Sequence, residues 1–260
     1  MKKPLVSILL PISNNQKHLA ECLKSIRRQS YRDLEIIAID DRSNDGSYKI
    51  LRTFKKKDKR IRIYRNIKRY GIAVTLNRLV KKAKGQIIGF VDANDILHRE
   101  RVKRQVSHLL KNPEVVALGT QCTFINKDNR SIGKSGFPLE NKALYTTSPL
   151  HGLSMQLETV LINKALLPKD TLKFEDSNLP FIYSDFLIRL LPFGKFENLP
   201  SFLHRHRKNP NDYLLDLRRH VFSLAKLWVK CVDSYNYLPS FRVLISNLIK
   251  EDAVSKLLKF

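Results

Sequence analysis

Across residues 1–120 the apolar positions switch repeatedly between short continuous runs and a spacing of three and four. Residues 5–10 form an unbroken apolar run of strand length, and Leu19, Cys22, Leu23 and Ile26 then recur at helical spacing within residues 17–29. A second apolar run at 35–39 leads into Asp40, Asp41, Arg42, Ser43, Asn44, Asp45 and Gly46, a turn composition, before a helix over 48–57. The alternation continues with a strand at 61–64, a helix over 72–83, a strand at 86–91, a helix over 98–111 and a strand at 115–118. This order predicts an α/β fold, a mainly parallel twisted sheet with helices on both faces.

Past residue 120 the rhythm breaks. Residues 123–125 followed by Lys127, Asp128, Asn129 and Arg130 predict an antiparallel insertion, and 184–191 a short helix. Residues 196–203 predict an edge strand, because Pro200 cannot donate to a central ladder. Leu214, Leu217, Val221, Leu224 and Trp228 then form an apolar stripe backed by Arg218, Arg219, Lys226 and Lys230. That stripe predicts a helix packed on the main domain, with a helix lying on a membrane surface as the alternative. A further basic amphipathic helix is expected over 241–258. The expected organisation is a main domain over 1–209, with a ligand-binding half at 1–120 and a second half at 121–209, followed by a helical extension at 210–260.

Composition narrows the class. With 43% hydrophobic residues the chain is neither disordered nor fibrous. Cys22, Cys122 and Cys231 are isolated, so neither a disulfide framework nor a cysteine zinc site is expected, and a reducing compartment follows. The N-terminal apolar run is too short for a membrane span and no small-residue cleavage site follows it, which points to a cytoplasmic protein. Lys and Arg total 48 against 24 acidic residues, a formal charge of +24. Such a surface suits polyanions: nucleic acid, anionic lipid headgroups or phosphorylated small molecules. The basic residues are spread along the whole chain without a nucleic-acid-binding motif, so nucleic acid is the least supported partner.

Three polar clusters fall at the carboxyl ends of expected strands: 11–15, 40–45 and 92–95. In open α/β sheets ligands sit at those ends, where the loops converge on one crevice. A single cluster of this kind is as well explained by a helix cap or an Asx turn. Three together point to a ligand site.

On these residues the sequence resembles the family 2 glycosyltransferases of the GT-A fold. The resemblance is carried by Val6 to Pro11 with Asn14, by Leu34 to Ser47 with its Asp40 and Asp41, by Gly71 to Asn77, and by Phe90, Val91, Asp92, Ala93, Asn94 and Asp95. It continues weakly through Phe174, Arg189, Gly194 to Phe196, Leu199, Pro200 and Arg207. It implies a nucleotide-diphosphate-sugar donor, with Asp41 reading the base, Asp40 supporting its loop, and Pro11 and Asn14 lining the same wall. Lys68, Arg69 and the Gly71 turn before a helix start suit a diphosphate, with Lys68 the candidate contact. Asn77, Asp92, Ala93 and Asn94 complete the expected donor set.

Three positions depart from the family pattern. Asn94 stands where the Asp-x-Asp motif places a carboxylate on a divalent cation, manganese or magnesium; an amide brings no negative charge, so affinity for that cation should fall. Ile182 and Tyr183 stand where the family has a Glu-Asp pair whose aspartate is the catalytic base. Asp185 is the nearest carboxylate and therefore the candidate base, although helix geometry turns it away from Tyr183. Asn209 stands where a histidine is common, while His204 and His206, if their segment is a strand, share one face, which permits a metal pair but reads first as ordinary partly buried imidazoles.

The resemblance implies transfer of a sugar, most readily from a UDP-sugar, to a glycan or lipid-linked acceptor in cell-surface polysaccharide synthesis, with the basic face contacting anionic lipid at the inner membrane surface. The substituted carboxylates support a second reading, a catalytically silent nucleotide-sugar-binding pseudo-enzyme.

Overall fold

The computed structural model describes residues 3–140, 155–176 and 181–207, together with residues 225–227, 229, 230, 232 and 233, which are helical. The order of elements is β1 (Val6–Ile12), α1 (Gln16–Arg27), β2 (Leu34–Asp40), α2 (Ser47–Lys57), β3 (Ile61–Arg65), α3 (Ile72–Lys82), β4 (Ile87–Phe90), β5 (Ile96–Leu97), α4 (Arg101–Lys111), β6 (Val115–Ile125), β7 (Ser131–Lys134), β8 (Leu161–Asn163), α5 (Ile182–Leu190) and β9 (Lys195–Arg207). Among the described residues these strands form one sheet in the order β3-β2-β1-β4-β8-β6-β9-β5, with β7 paired to β6.

The half made of β1 to β4 is parallel, as helical crossovers require. β2 is buried along its whole length, which is why it reads as a continuous apolar run rather than an alternating one. Alternate residues still choose opposite faces. Ile8 and Leu10 pack with Leu19 and Leu23 of α1, whereas Leu9 packs with Leu76 and Leu79 of α3. Beyond β4 the sheet becomes mixed, because β8 runs antiparallel to both β4 and β6. The sheet expected to be mainly parallel is thus parallel in its first half and mixed in its second.

The second half also differs in detail. The segments expected at 115–118 and 123–125 are one continuous strand, β6, whose far end forms the antiparallel hairpin with β7. β9 runs through Pro200 to Arg207, parallel to β6 with a shift of register near Thr120 and Gln121. Its outer side is paired only by the two-residue β5, at His204 and Arg205, so Pro200 lies where no ladder partner is needed. β5 and β8 are too short to leave a periodic signal.

Leu227, 4% exposed, belongs to the core cluster that contains α3 and α5. The stripe residues Leu214, Leu217, Val221, Leu224 and Trp228, and the helix expected over 241–258, lie outside the described residues. Among the described residues no helix is long and apolar enough to cross a membrane.

Candidate active site

Strand register brings the polar clusters together. Ile12 pairs with Asp40, and the Asp41 amide donates to the Ile12 carbonyl at 2.8 Å. Leu9 pairs with Phe90, and the Val91 amide donates to the Leu9 carbonyl at 3.1 Å, which sets Asp92 beside the end of β1. The resulting cavity of about 300 Å³ is lined by Pro11, Ser13, Asp41, Arg69, Gly71, Thr75, Asp92 and Tyr183, among others.

Asp41 organises the loop that closes this cavity. One carboxylate oxygen accepts from Asn66 Nδ2 at 2.7 Å and from the Tyr70 amide at 2.9 Å, and the other accepts from the Gly71 amide at 2.9 Å. A carboxylate offers about four lone-pair sites, so roughly one remains for a ligand N–H. Gly71 has φ 85°, a conformation that disfavours a side chain, and it starts α3 with no acidic residue in the first turn. The first-turn amides of α3, which have no intrahelical partner, start at this cavity, which Arg69 also lines.

The remaining expected donor residues are spread differently. Asp40 is fully buried and holds the loop from beneath, ion-paired to Arg65 at 2.9 Å. Asn14, at φ 56°, accepts from the Asn44 amide at 2.9 Å and ties the first loop to the second; Ser13 and Asn15, not Asn14, line the cavity. The Lys68 ammonium lies over the Tyr70 ring, 5.4 Å from its centre, and the cavity position expected for it is taken by Arg69. Asn77 lies outside this cavity, in a reciprocal amide pair with Phe174 whose two hydrogen bonds are both 2.8 Å. Ala93 is buried. Asn94 gives its amide to Asp92 at 2.7 Å and its carbonyl accepts from Arg207 Nε at 2.9 Å.

Asp92 and Tyr183 supply the cavity's titrating groups. Burial, then the charges of Asp95 and Glu158, push Asp92 up to about 6 despite the opposing bond from Asn94. Burial and the charges of Glu158, Asp92 and Asp95 push the Tyr183 phenol well above its usual 10, so it stays neutral and acts as an O–H group. Glu158, on a 3-10 turn at Leu157–Thr159 and 6% exposed, is the one member of this set that the sequence reading missed entirely.

The base expected at Asp185 sits elsewhere. It is fully buried, with one oxygen 2.9 Å from Arg189 and the other 3.1 Å from Lys230, and it is not part of the cavity lining. Tyr183 and Asp185 are two residues apart on α5, roughly 200° around the helix, so one faces the cavity and the other the helical segment that carries Lys230.

Asp95, His204 and His206 bring three ligand-type atoms within 4.8 Å. Both imidazoles already bond to the same Asp95 oxygen, at 2.8 and 2.9 Å, while the Arg207 amide donates to the other. Arg101, fully buried, stands 2.8 Å from the far nitrogen of His204. Burial opposes charge on His206, but Asp95 outweighs it and pushes His206 up to about 9; burial lowers His204 to about 4. A trio so saturated and flanked by the Arg101 guanidinium fits an internal ion cluster better than a cation site. Asn94 fits a cation weakly, because its side chain offers an amide oxygen and no negative charge.

A cavity at the carboxyl ends of parallel strands, walled by two aspartates, an arginine and a helix start, defines an α/β protein of the GT-A architecture with a ligand crevice at its strand ends. Residues 7–163 match the model of glycosyl transferase family 2, and the chain belongs to that family. An uncharacterized glycosyltransferase of Haemophilus influenzae is 30% identical over 179 residues, which cover 68% of this chain and 70% of that one. A poly(ribitol-phosphate) beta-glucosyltransferase of Bacillus spizizenii is 32% identical over 155 residues, 55% of this chain but 24% of that one. Among solved structures, the mannosyltransferase PcManGT from Pyrobaculum calidifontis, with GDP-Man and Mn2+, superimposes with a TM-score of 0.71 at 19% identity, over 100% of this chain and 73% of that one. S. aureus TarS 1-349 with UDP gives 0.66 at 17% identity, over 98% of this chain and 72% of that one. At these identities the two structures speak for the fold alone.

Proposed function

We propose that this chain transfers a sugar from a nucleotide-diphosphate donor, UDP-linked in the first instance, to a hydroxyl of a glycan or lipid-linked acceptor in cell-surface polysaccharide synthesis. The observation that carries it is the convergence of Asp41, Arg69, the α3 start and Asp92 on one cavity. The remaining lone pair of Asp41 takes the imide N–H of the base, and Pro11 packs on the ring. Arg69 and the first amides of α3 hold the diphosphate and stabilise the charge that develops as it leaves. Relatives support the acceptor class: the poly(ribitol-phosphate) beta-glucosyltransferase named above, and a Bacillus subtilis glycosyltransferase of teichuronic acid biosynthesis, TuaG.

Proton transfer falls to Asp92. Of the two carboxylates that line the cavity among the described residues, Asp41 has three N–H partners, whereas Asp92 has one and titrates near 6. As the acceptor oxygen attacks the anomeric carbon, its proton passes to Asp92, and the bond to the diphosphate breaks with the electron pair leaving on phosphate oxygen. Tyr183 donates its O–H to the sugar or the acceptor. No step is assigned to a divalent cation: the Asn94 amide brings no negative charge, and the Asp95 carboxylate is already bonded to His204, His206 and the Arg207 amide. We assign the reaction to the cytoplasmic side, with the basic surface against anionic lipid, and residues 1–209 to the catalytic unit.

The second reading, a donor-binding protein without transfer chemistry, is favoured by the burial of Asp185 in ion pairs and the neutrality of Tyr183. Titration with UDP- and GDP-sugars, followed by transfer of labelled sugar into broken-cell acceptor, separates the two. Binding with transfer supports the first reading and binding without transfer the second; absence of donor binding overturns both.

A further inference from the structure

The donor cavity uses one lining cation, Arg69, and leaves most of the +24 charge without a role. A second cavity, of about 670 Å³, opens at the other end of α3. Its rim carries Lys81, Lys164, Lys169 and Lys173 against a single carboxylate, Asp170, and its floor is apolar, with Val80 and Leu172. Among the described residues none of these four ammonium groups makes an ion pair with a carboxylate. The two cavities take different stretches of α3, Gly71, Ile72 and Thr75 at its start and Asn77, Val80 and Lys81 toward its end.

The cavity is built rather than incidental. Asn77 of α3 and the backbone of Phe174 exchange two hydrogen bonds of 2.8 Å, which fix the segment bearing Lys169 and Lys173 against the helix. Lys164 is placed from the other side, where its amide donates to the Gln86 carbonyl at 2.9 Å, just before β4. Side chains 92 residues apart in sequence are thereby held around one space.

We propose that this cleft binds a segment of an anionic chain with repeating phosphodiesters and a polyol or sugar backbone. Lysine acts as a point charge for phosphate, and four of them spread over a rim match several charges in a row better than a single anion. The apolar floor receives the C–H faces between the phosphates. A membrane surface is flat and would leave a concave floor unfilled. Single-stranded nucleic acid has matching charges, but the cavity lining contains no aromatic ring on which a base could stack. The site is independent of the donor cavity and of whether transfer occurs.

The test uses the full chain and a fluorescently labelled poly(glycerol phosphate) oligomer as probe. Lys164 and Lys169 are exposed and lie outside the donor cavity, so the double variant K164E/K169E should keep its fold and its UDP affinity. It should lose oligomer affinity by roughly tenfold or more, since like charges now face the phosphates. The control K55E/K56E, an equal charge change on the exposed face of α2, should stay within about twofold. Equal losses in the two variants would assign binding to diffuse charge and overturn the proposal. So would inorganic phosphate, a mixed-base oligonucleotide or vesicles of phosphatidylglycerol and phosphatidylcholine binding as tightly as the oligomer with the same loss in K164E/K169E.

Discussion

Lys230 Nζ lies 3.1 Å from Asp185 Oδ1, joining the helical turn at Lys230 to α5 through a carboxylate with no solvent exposure. The same ammonium stands 3.0 Å from Glu175, and Arg189 closes the group at 2.9 Å from Asp185. A charge cluster of this kind fixes where a helix docks, and it removes Asp185 from any exchange with substrate.

Asp185→Ala should therefore act on stability. Removing the buried partner of two cations should cost about 3 kcal/mol. Urea denaturation measures this, and donor affinity of the folded variant should stay near that of the parent. A collapse of donor affinity with unchanged stability would return Asp185 to the site.

Asp92 should govern the acid limb of activity. A group that must be deprotonated to accept a proton, and that titrates near 6, gives a rate that rises through that pH and then levels. Asp92→Asn should remove the limb and lower kcat by roughly a hundredfold or more. Sugar transfer measured from about pH 5 to about pH 8, which brackets the Asp92 value, checks both expectations.

His206 should stabilise the fold at neutral pH and not at high pH. Its folded value, about 9, exceeds the unfolded 6.5, so its contribution is complete below 6.5 and disappears as pH rises through 9. The stability gap between the parent and His206→Gln should be widest near the lower bound and close above the upper one. Denaturation midpoints across that window decide it, and a gap independent of pH would show that charge on His206 contributes nothing.

Asn94→Asp should restore what the Asp-x-Asp position lacks. A second carboxylate beside Asp92 provides hard oxygen and negative charge, so manganese should raise donor affinity by roughly tenfold in the variant and much less in the parent. Titration with a UDP-sugar in the presence and absence of manganese gives the comparison. Equal responses would mean that the amide at Asn94 is not what limits cation binding.

The sequence by itself determined the elements whose stabilisation is local. Runs such as residues 34–40 and the spacing of Leu19, Cys22, Leu23 and Ile26 record how a strand or helix meets a core, and that pattern is complete within a dozen residues or so. It also placed the polar clusters at strand ends, which is why Pro11, Asp41, Gly71 and Asp92 could be named beforehand and are found around one cavity. Tertiary structure alone decided which neighbour performs a task. Of Lys68 and Arg69 it is Arg69 that lines the cavity, Asp185 is consumed by Lys230, the charge of Glu158 acts on Asp92 from a turn without periodicity, and β6 and β9 pair across 79 to 82 residues. Those outcomes depend on distances between side chains brought together by distant segments, and both burial and Coulomb energy are set by those distances, which no local run of residues encodes.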